Sequence, residues 1–123
     1  MKQATLITGE PDSGKALCVQ IMTLPFENPV IINGRDESLK YVNFIFQSAS
    51  LETDVIVFED VSLQNWAFIK AIIHSEKIKV EQKHQEPFTM PTPKIIATLN
   101  FELDKEDILR TDLIDFIHCN NDG

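Results

Sequence analysis

The sequence has little cysteine and no long apolar run. Its two cysteines, Cys18 and Cys119, lie far apart in a chain of 123 residues. They predict neither a metal site nor a disulfide framework, so we expect buried free thiols. No apolar stretch approaches the length that spans a membrane, and no early stretch has the basic flank and apolar core of a signal peptide. These absences predict a cytoplasmic protein with no membrane partner.

Basic side chains are also scarce. There are 11 Lys and Arg against 19 Asp and Glu, which gives a formal net charge of −8. Non-specific binding to nucleic acid depends mainly on Lys and Arg against phosphates, so any contact with DNA must be local or come from a partner. Only two arginines occur, Arg35 and Arg110. This disfavours a small-molecule kinase, which usually needs several basic residues around the transferred phosphoryl group.

A glycine-rich stretch near the start of the chain indicates a phosphate loop. An apolar, β-branched run at residues 4–8 is followed by Gly9, Glu10, Pro11, Asp12, Ser13, Gly14, Lys15 and Ala16. This order is typical of the strand, loop and helix of a P-loop nucleotide site. Backbone N–H groups and the helix N-terminus would hold phosphate oxygens, and Lys15 would reach the outer phosphates. The competing interpretation is a glycine turn with a surface lysine.

One position departs from the P-loop pattern. The pattern ends in Ser or Thr, whose hydroxyl holds Mg²⁺, but this sequence has Ala16 there. We therefore predict a loop that is better suited to phosphate than to metal. The absence of an Asn-Lys-x-Asp motif favours ATP over a guanine nucleotide.

The remaining sequence alternates between strand and helix patterns. Apolar runs predict strands at 4–8, 29–33, 53–60, 94–100 and 112–119, with the third at the sheet centre. Apolar periodicity predicts helices at 15–22, 36–48 and 63–74, and a short helical turn at 104–111. Alternation within 77–81 and 88–90 predicts a hairpin. We expect an α/β fold: residues 1–123 form one minimal P-loop NTPase domain, a three-layer sandwich with a five-stranded, mostly parallel sheet and an inserted β-hairpin.

Polar side chains end two of these strands, at the edge where parallel α/β sheets bind ligands. Glu59 and Asp60 can hold Mg²⁺ and polarise an attacking water. We assign Glu59 to the metal and Asp60 to the water, although the two roles can be exchanged. Asn100 can orient the water or contact the γ-phosphate, and Arg110 is a candidate arginine finger. The alternatives are a solvated strand end, a turn-forming asparagine and a surface salt bridge, respectively.

The order of these motifs resembles the AAA+ class of P-loop ATPases, and most closely the core ATPase domain of superfamily 3 helicases of small DNA viruses and mobile elements. The likeness is sharpest at 79–84 (KVEQKH) and 93–100 (PKIIATLN). In that family, a hairpin with a Lys-His pair at its tip precedes a proline, an apolar strand and a sensor asparagine. The resemblance implies ATP and Mg²⁺ as ligands, and it implies these roles: phosphate contact for Lys15, Walker B pair for Glu59 and Asp60, sensor for Asn100, and finger for Arg110.

The resemblance further implies that Lys83 and His84 project into the channel of a homo-oligomeric ring and contact single-stranded DNA. Glu81 and Glu86 flank this pair and dilute its positive charge, so a solvated turn is the alternative. Two functions stay open. One is a superfamily 3 helicase-like ATPase core that acts on DNA, and the other is a catalytically degenerate nucleotide-binding or oligomerisation module without turnover.

Overall fold

The computed structural model describes residues 3–10, 14–40, 49–81, 84–104, 106 and 112–119. Within these residues the elements are, in order, β1 Ala4–Gly9, α1 Lys15–Thr23, β2 Pro29–Asn33, a 3-10 helix Glu37–Lys40, β3 Val55–Val61, α2 Leu63–Ile73, β4 Lys77–Val80, β5 Phe88–Pro91, β6 Lys94–Leu99 and β7 Ile114–Cys119. In this described part, neither α1 nor α2 has the length and apolar character needed to cross a bilayer.

Five strands form one sheet in the order β2-β3-β6-β1-β7, and its neighbouring strands pair in parallel. β4 and β5 pair antiparallel as a separate two-stranded sheet. The predicted α/β architecture with an inserted hairpin is therefore confirmed. The prediction that the 53–60 strand occupies the sheet centre is wrong, because β6 lies in the middle and β3 beside it. Both strands are continuous apolar runs, so hydrophobicity alone does not show which of them lies at the centre of the sheet.

The sheet is covered on both faces. Alternate residues of β3 belong to different clusters: Ile56 and Phe58 pack on the side of α2, and Val55 and Val57 pack on the side of α1. All four side chains are fully buried, and burying each contributes about 1.5–3 kcal/mol. The continuous apolar run of β3 thus serves two cores, as the three-layer prediction requires.

The apolar face of α2 agrees with its periodicity. Trp66, Ile69, Ile72 and Ile73 are buried, as their spacing predicts. The ring of Trp66 also lies 5.9 Å, between centroids, from that of Phe101. This tilted contact joins α2 to the segment that follows β6.

Two predicted helices are only partly described. The predicted 36–48 helix contains the 3-10 helix Glu37–Lys40, whose Leu39 is buried on the α2 side of the sheet. Residues 41–48 lie outside the described residues. Of the predicted turn at 104–111, residues 105 and 107–111 also lie outside them.

Candidate functional site

A cavity of about 510 Å³ opens at the carboxyl edge of the sheet. Its described lining comes from the start of α1 and the ends of β3 and β6: Gly14, Lys15, Ala16, Val19, Glu59, Asp60 and Thr98. Residues 14–16 of the predicted phosphate loop therefore line the same cavity as the acid pair. This is the edge at which parallel α/β sheets bind ligands.

The loop after β1 delivers Lys15 to this cavity. Gly14 precedes α1 with a φ of 90°, a conformation that costs other residues roughly 1–2 kcal/mol. Lys15 begins the helix, and its Nζ donates hydrogen bonds to the carbonyl oxygens of Gly9, at 2.9 Å, and Leu99, at 3.3 Å. The ammonium group is therefore held between the ends of β1 and β6.

The acid pair lies on an irregular strand end. Asp60 has a φ of 61°, and the pairing register between β3 and β6 shifts at the two acids, which is the signature of a bulge. The Asp60 N–H donates a 2.7 Å hydrogen bond to Thr98 Oγ1, and Asp60 Oδ2 lies 2.6 Å from Arg35 Nε. Glu59, in contrast, is exposed. The two adjacent acids therefore have different surroundings.

The turn after β2 packs against this bulge and is hydrogen-bonded to it. The Gly34 N–H donates a 2.6 Å hydrogen bond to the Glu59 carbonyl, and the Gly34 carbonyl accepts a 2.9 Å hydrogen bond from Nδ2 of the buried Asn65. A Cβ on Gly34 would lie 2.7 Å from the Glu59 carbonyl oxygen, closer than side chains approach. Glycine thus lets the turn reach the bulge, which places Arg35 beside Asp60.

Arg35 and Thr98 are site residues that sequence reasoning missed. Arg35 is one of two arginines and comes just after the predicted strand 29–33. Its position at the carboxyl edge of the sheet could therefore have been predicted from the sequence. Thr98 lies two residues before Asn100 in the predicted 94–100 strand. That strand ends at Leu99, and Asn100 is exposed, with its N–H donating to the Val61 carbonyl at 3.3 Å. Of the described β6 region, Thr98 rather than Asn100 lines the cavity.

Several predicted site residues lie outside the described part of the chain: Pro11, Asp12, Ser13, Lys83 and Arg110. Their roles stay predictions. Glu10 is described and exposed, directly after β1. His84 is also exposed and has a φ of 65° in the turn between β4 and β5.

The two cysteines meet beside the loop. They are free thiols, as predicted, but both are half-buried, and their Sγ atoms lie 3.5 Å apart. They meet because β7 pairs with β1, which places Cys119 opposite Gly9. Burial raises the pKa of the Cys119 thiol, and the hydrogen bond with Cys18 raises it further.

We expect iodoacetamide to alkylate Cys119 slowly at about pH 8, below the raised pKa, because the thiolate is the nucleophile. The rate should climb as the pH rises past the pKa of an ordinary thiol. Mass spectrometry of timed digests measures it. In the Cys18→Ala variant, which removes the hydrogen bond, the profile should move to lower pH. A wild-type profile that coincides with that of a free cysteine peptide would contradict the shift.

No protein-family model and no curated protein matches the sequence. Solved structures match its fold. A crystal structure of JCV helicase with a bound acetamide compound has a TM-score of 0.74 and 19% identity, over 99% of this chain and 37% of that one. The apo C-terminal region of NrS-1 has a TM-score of 0.64 and 18% identity, over 96% of this chain and 29% of that one.

These likenesses, all below 20% identity, show a shared fold. The sequence motifs predicted a resemblance to a helicase, and the fold that this chain shares with JCV helicase confirms that resemblance at the level of the fold. The chain spans less than two fifths of the length of these solved chains.

Proposed function

We propose that this chain is a helicase-like nucleotide-binding domain that takes ATP in the cavity between α1, β3 and β6. The observation that carries the proposal is the position of Lys15 Nζ, between the carbonyls of Gly9 and Leu99, in the cavity that Glu59 and Asp60 also line. Anionic phosphate oxygens are stronger acceptors than neutral carbonyls. A phosphate would therefore take over the hydrogen bonds of the ammonium group, and the N-terminal N–H groups of α1 would add to them.

The surroundings of the two acids favour Glu59, instead of Asp60, as the residue that activates the attacking water. Asp60 forms an ion pair with Arg35, whereas among the described residues no ion pair involves Glu59. Glu59 is thus the carboxylate better placed to accept a proton from an attacking water. Asp60 would instead hold the guanidinium group of Arg35 at the edge of the site.

Calorimetry with ATP, followed by a phosphate-release assay with and without single-stranded DNA, tests the proposal. Binding with turnover supports an ATPase core. Binding without turnover supports the second candidate, a degenerate nucleotide-binding or oligomerisation module, which Ala16 and the Arg35–Asp60 ion pair favour. No binding at millimolar ATP would overturn the ATPase core and the nucleotide-binding module alike.

DNA contact and assembly into a ring belong to the same proposal. The net charge of −8 confines DNA contact to a local basic group, and the turn that carries His84 offers one. We expect the Lys83→Ala/His84→Ala variant to lose roughly tenfold in affinity for single-stranded DNA, the size of one or two lost phosphate contacts. Its affinity for ATP should not change. Fluorescence anisotropy at two salt concentrations measures the loss.

The matched control for that variant is Lys70→Ala, which removes a positive charge from α2 instead of from the hairpin. Equal losses in the two variants would indicate a general charge effect and contradict a contact at the hairpin tip. Sedimentation velocity with ATP tests the ring. The cytoplasmic location stays a prediction from the sequence.

A further inference from the structure

The described site residues do not fit the Mg²⁺ that the fold family implies. Mg²⁺ takes octahedral oxygen ligands, usually one or two carboxylates with phosphates and waters, and a P-loop adds a hydroxyl. Ala16 has no side-chain oxygen, and Asp60 Oδ2 already lies 2.6 Å from Arg35 Nε. Of the described residues that line the cavity, Glu59 is then the one carboxylate left for a metal ion.

Arg35 is held in place by its own backbone. Its N–H donates a 3.0 Å hydrogen bond to Asn33 Oδ1, and the preceding residue, Gly34, is bonded to the bulge that carries Asp60. A guanidinium group stays protonated at every physiological pH. The carboxylate of Asp60 therefore has a permanent cation beside it, supplied by the chain itself.

We propose that Arg35, and not Mg²⁺, neutralises Asp60 when ATP binds, so that this site takes metal-free ATP. The inference rests on the proposed nucleotide binding. Without a cation beside it, the Asp60 carboxylate would repel the phosphates of ATP, which carry the same sign of charge. Arg35 removes this repulsion, and Lys15 supplies the positive charge that the phosphates contact.

The size of the expected effect follows from exposure. The side chains of Arg35 and Asp60 are 61% and 43% exposed, and ion pairs so open to water change an equilibrium by up to about fivefold. Loss of Arg35 alone should therefore have a modest effect. Restoring the missing hydroxyl at position 16 in the same protein should make ATP binding depend more strongly on Mg²⁺.

The experiment is calorimetry of ATP binding in EDTA and in Mg²⁺. For the wild type, we expect dissociation constants within about twofold of each other in the two conditions. The Arg35→Gln variant should bind metal-free ATP about fivefold more weakly, with Mg²⁺ restoring the affinity. Arg35→Lys is the control, because it keeps the charge and should behave as the wild type does. In the Ala16→Thr/Arg35→Gln variant, Mg²⁺ should tighten binding about tenfold or more.

Two results would overturn the inference and leave the proposed function standing. One is wild-type binding that requires Mg²⁺, which needs no variant to fold. The other is an Arg35→Gln protein, folded by circular dichroism, that binds metal-free ATP as tightly as the wild type. No ATP binding in either condition would instead overturn the proposed function, and this inference with it.

Discussion

Replacing Lys15 with alanine should weaken ATP binding by about 100-fold or more, the loss expected when one partner of a desolvated, charge-assisted hydrogen bond is removed. The ammonium group lies at the cavity, where it donates hydrogen bonds to the carbonyls of Gly9 and Leu99. Both carbonyl oxygens can accept hydrogen bonds from water once the ammonium group is removed. The fold should thus stay intact, with a change in unfolding free energy of about 1 kcal/mol or less.

Calorimetry measures the loss of affinity, and thermal unfolding by circular dichroism measures stability. Lys77→Ala is the matched control, since it removes the same charge from the exposed start of β4, in the separate two-stranded sheet. It should bind ATP as the wild type does. A Lys15→Ala protein with affinity within about threefold of the wild type would remove Lys15 from the site.

Replacing Gly34 with alanine should lower the free energy of unfolding more than Lys15→Ala or Gly14→Ala does. A Cβ there would meet the Glu59 carbonyl oxygen and the Val61 N and Cα atoms, each at 2.7 Å. All three are backbone atoms, which cannot rotate away as a side chain can. Overpacking costs about 1–3 kcal/mol, and we expect the upper end of that range. The melting temperature should fall by roughly 10 °C.

The same variant should also weaken ATP binding, because the added Cβ pushes on the bulge that carries Asp60. Gly14→Ala is the informative comparison. A Cβ on Gly14 meets nothing within 4 Å, but the φ is 90°, so strain alone should cost about 1–2 kcal/mol. We expect Gly34→Ala to be the less stable protein in thermal unfolding. If it melts within about 2 °C of the wild type, the turn is not a tight clamp on the bulge.

Most of the fold could be predicted because its signals are local. β2 occupies Pro29–Asn33 as predicted, and α2 ends within one residue of its predicted end. Continuous apolar runs identified β3 and β6 as strands covered on both faces. The order of these two strands could not be predicted, because both runs satisfy the same burial requirement.

The site was predictable in part for the same reason. The glycine loop and the acid pair were recognisable as motifs, and described members of both line one cavity. Thr98 was overlooked because its contact with the Asp60 N–H joins residues 38 positions apart. The meeting of Cys18 and Cys119 spans 101 positions. No pattern within a short window records contacts of this kind.

The sequence by itself determined where strands and helices form and which polar residues end the strands, since these depend on side-chain periodicity and on glycine within a few neighbouring positions. Only the tertiary structure decided what those residues meet. Arg35 reaches Asp60 because β2 lies beside β3 in register and Gly34 allows the turn to touch the bulge. Such a contact depends on strand order and register, which are properties of the whole sheet.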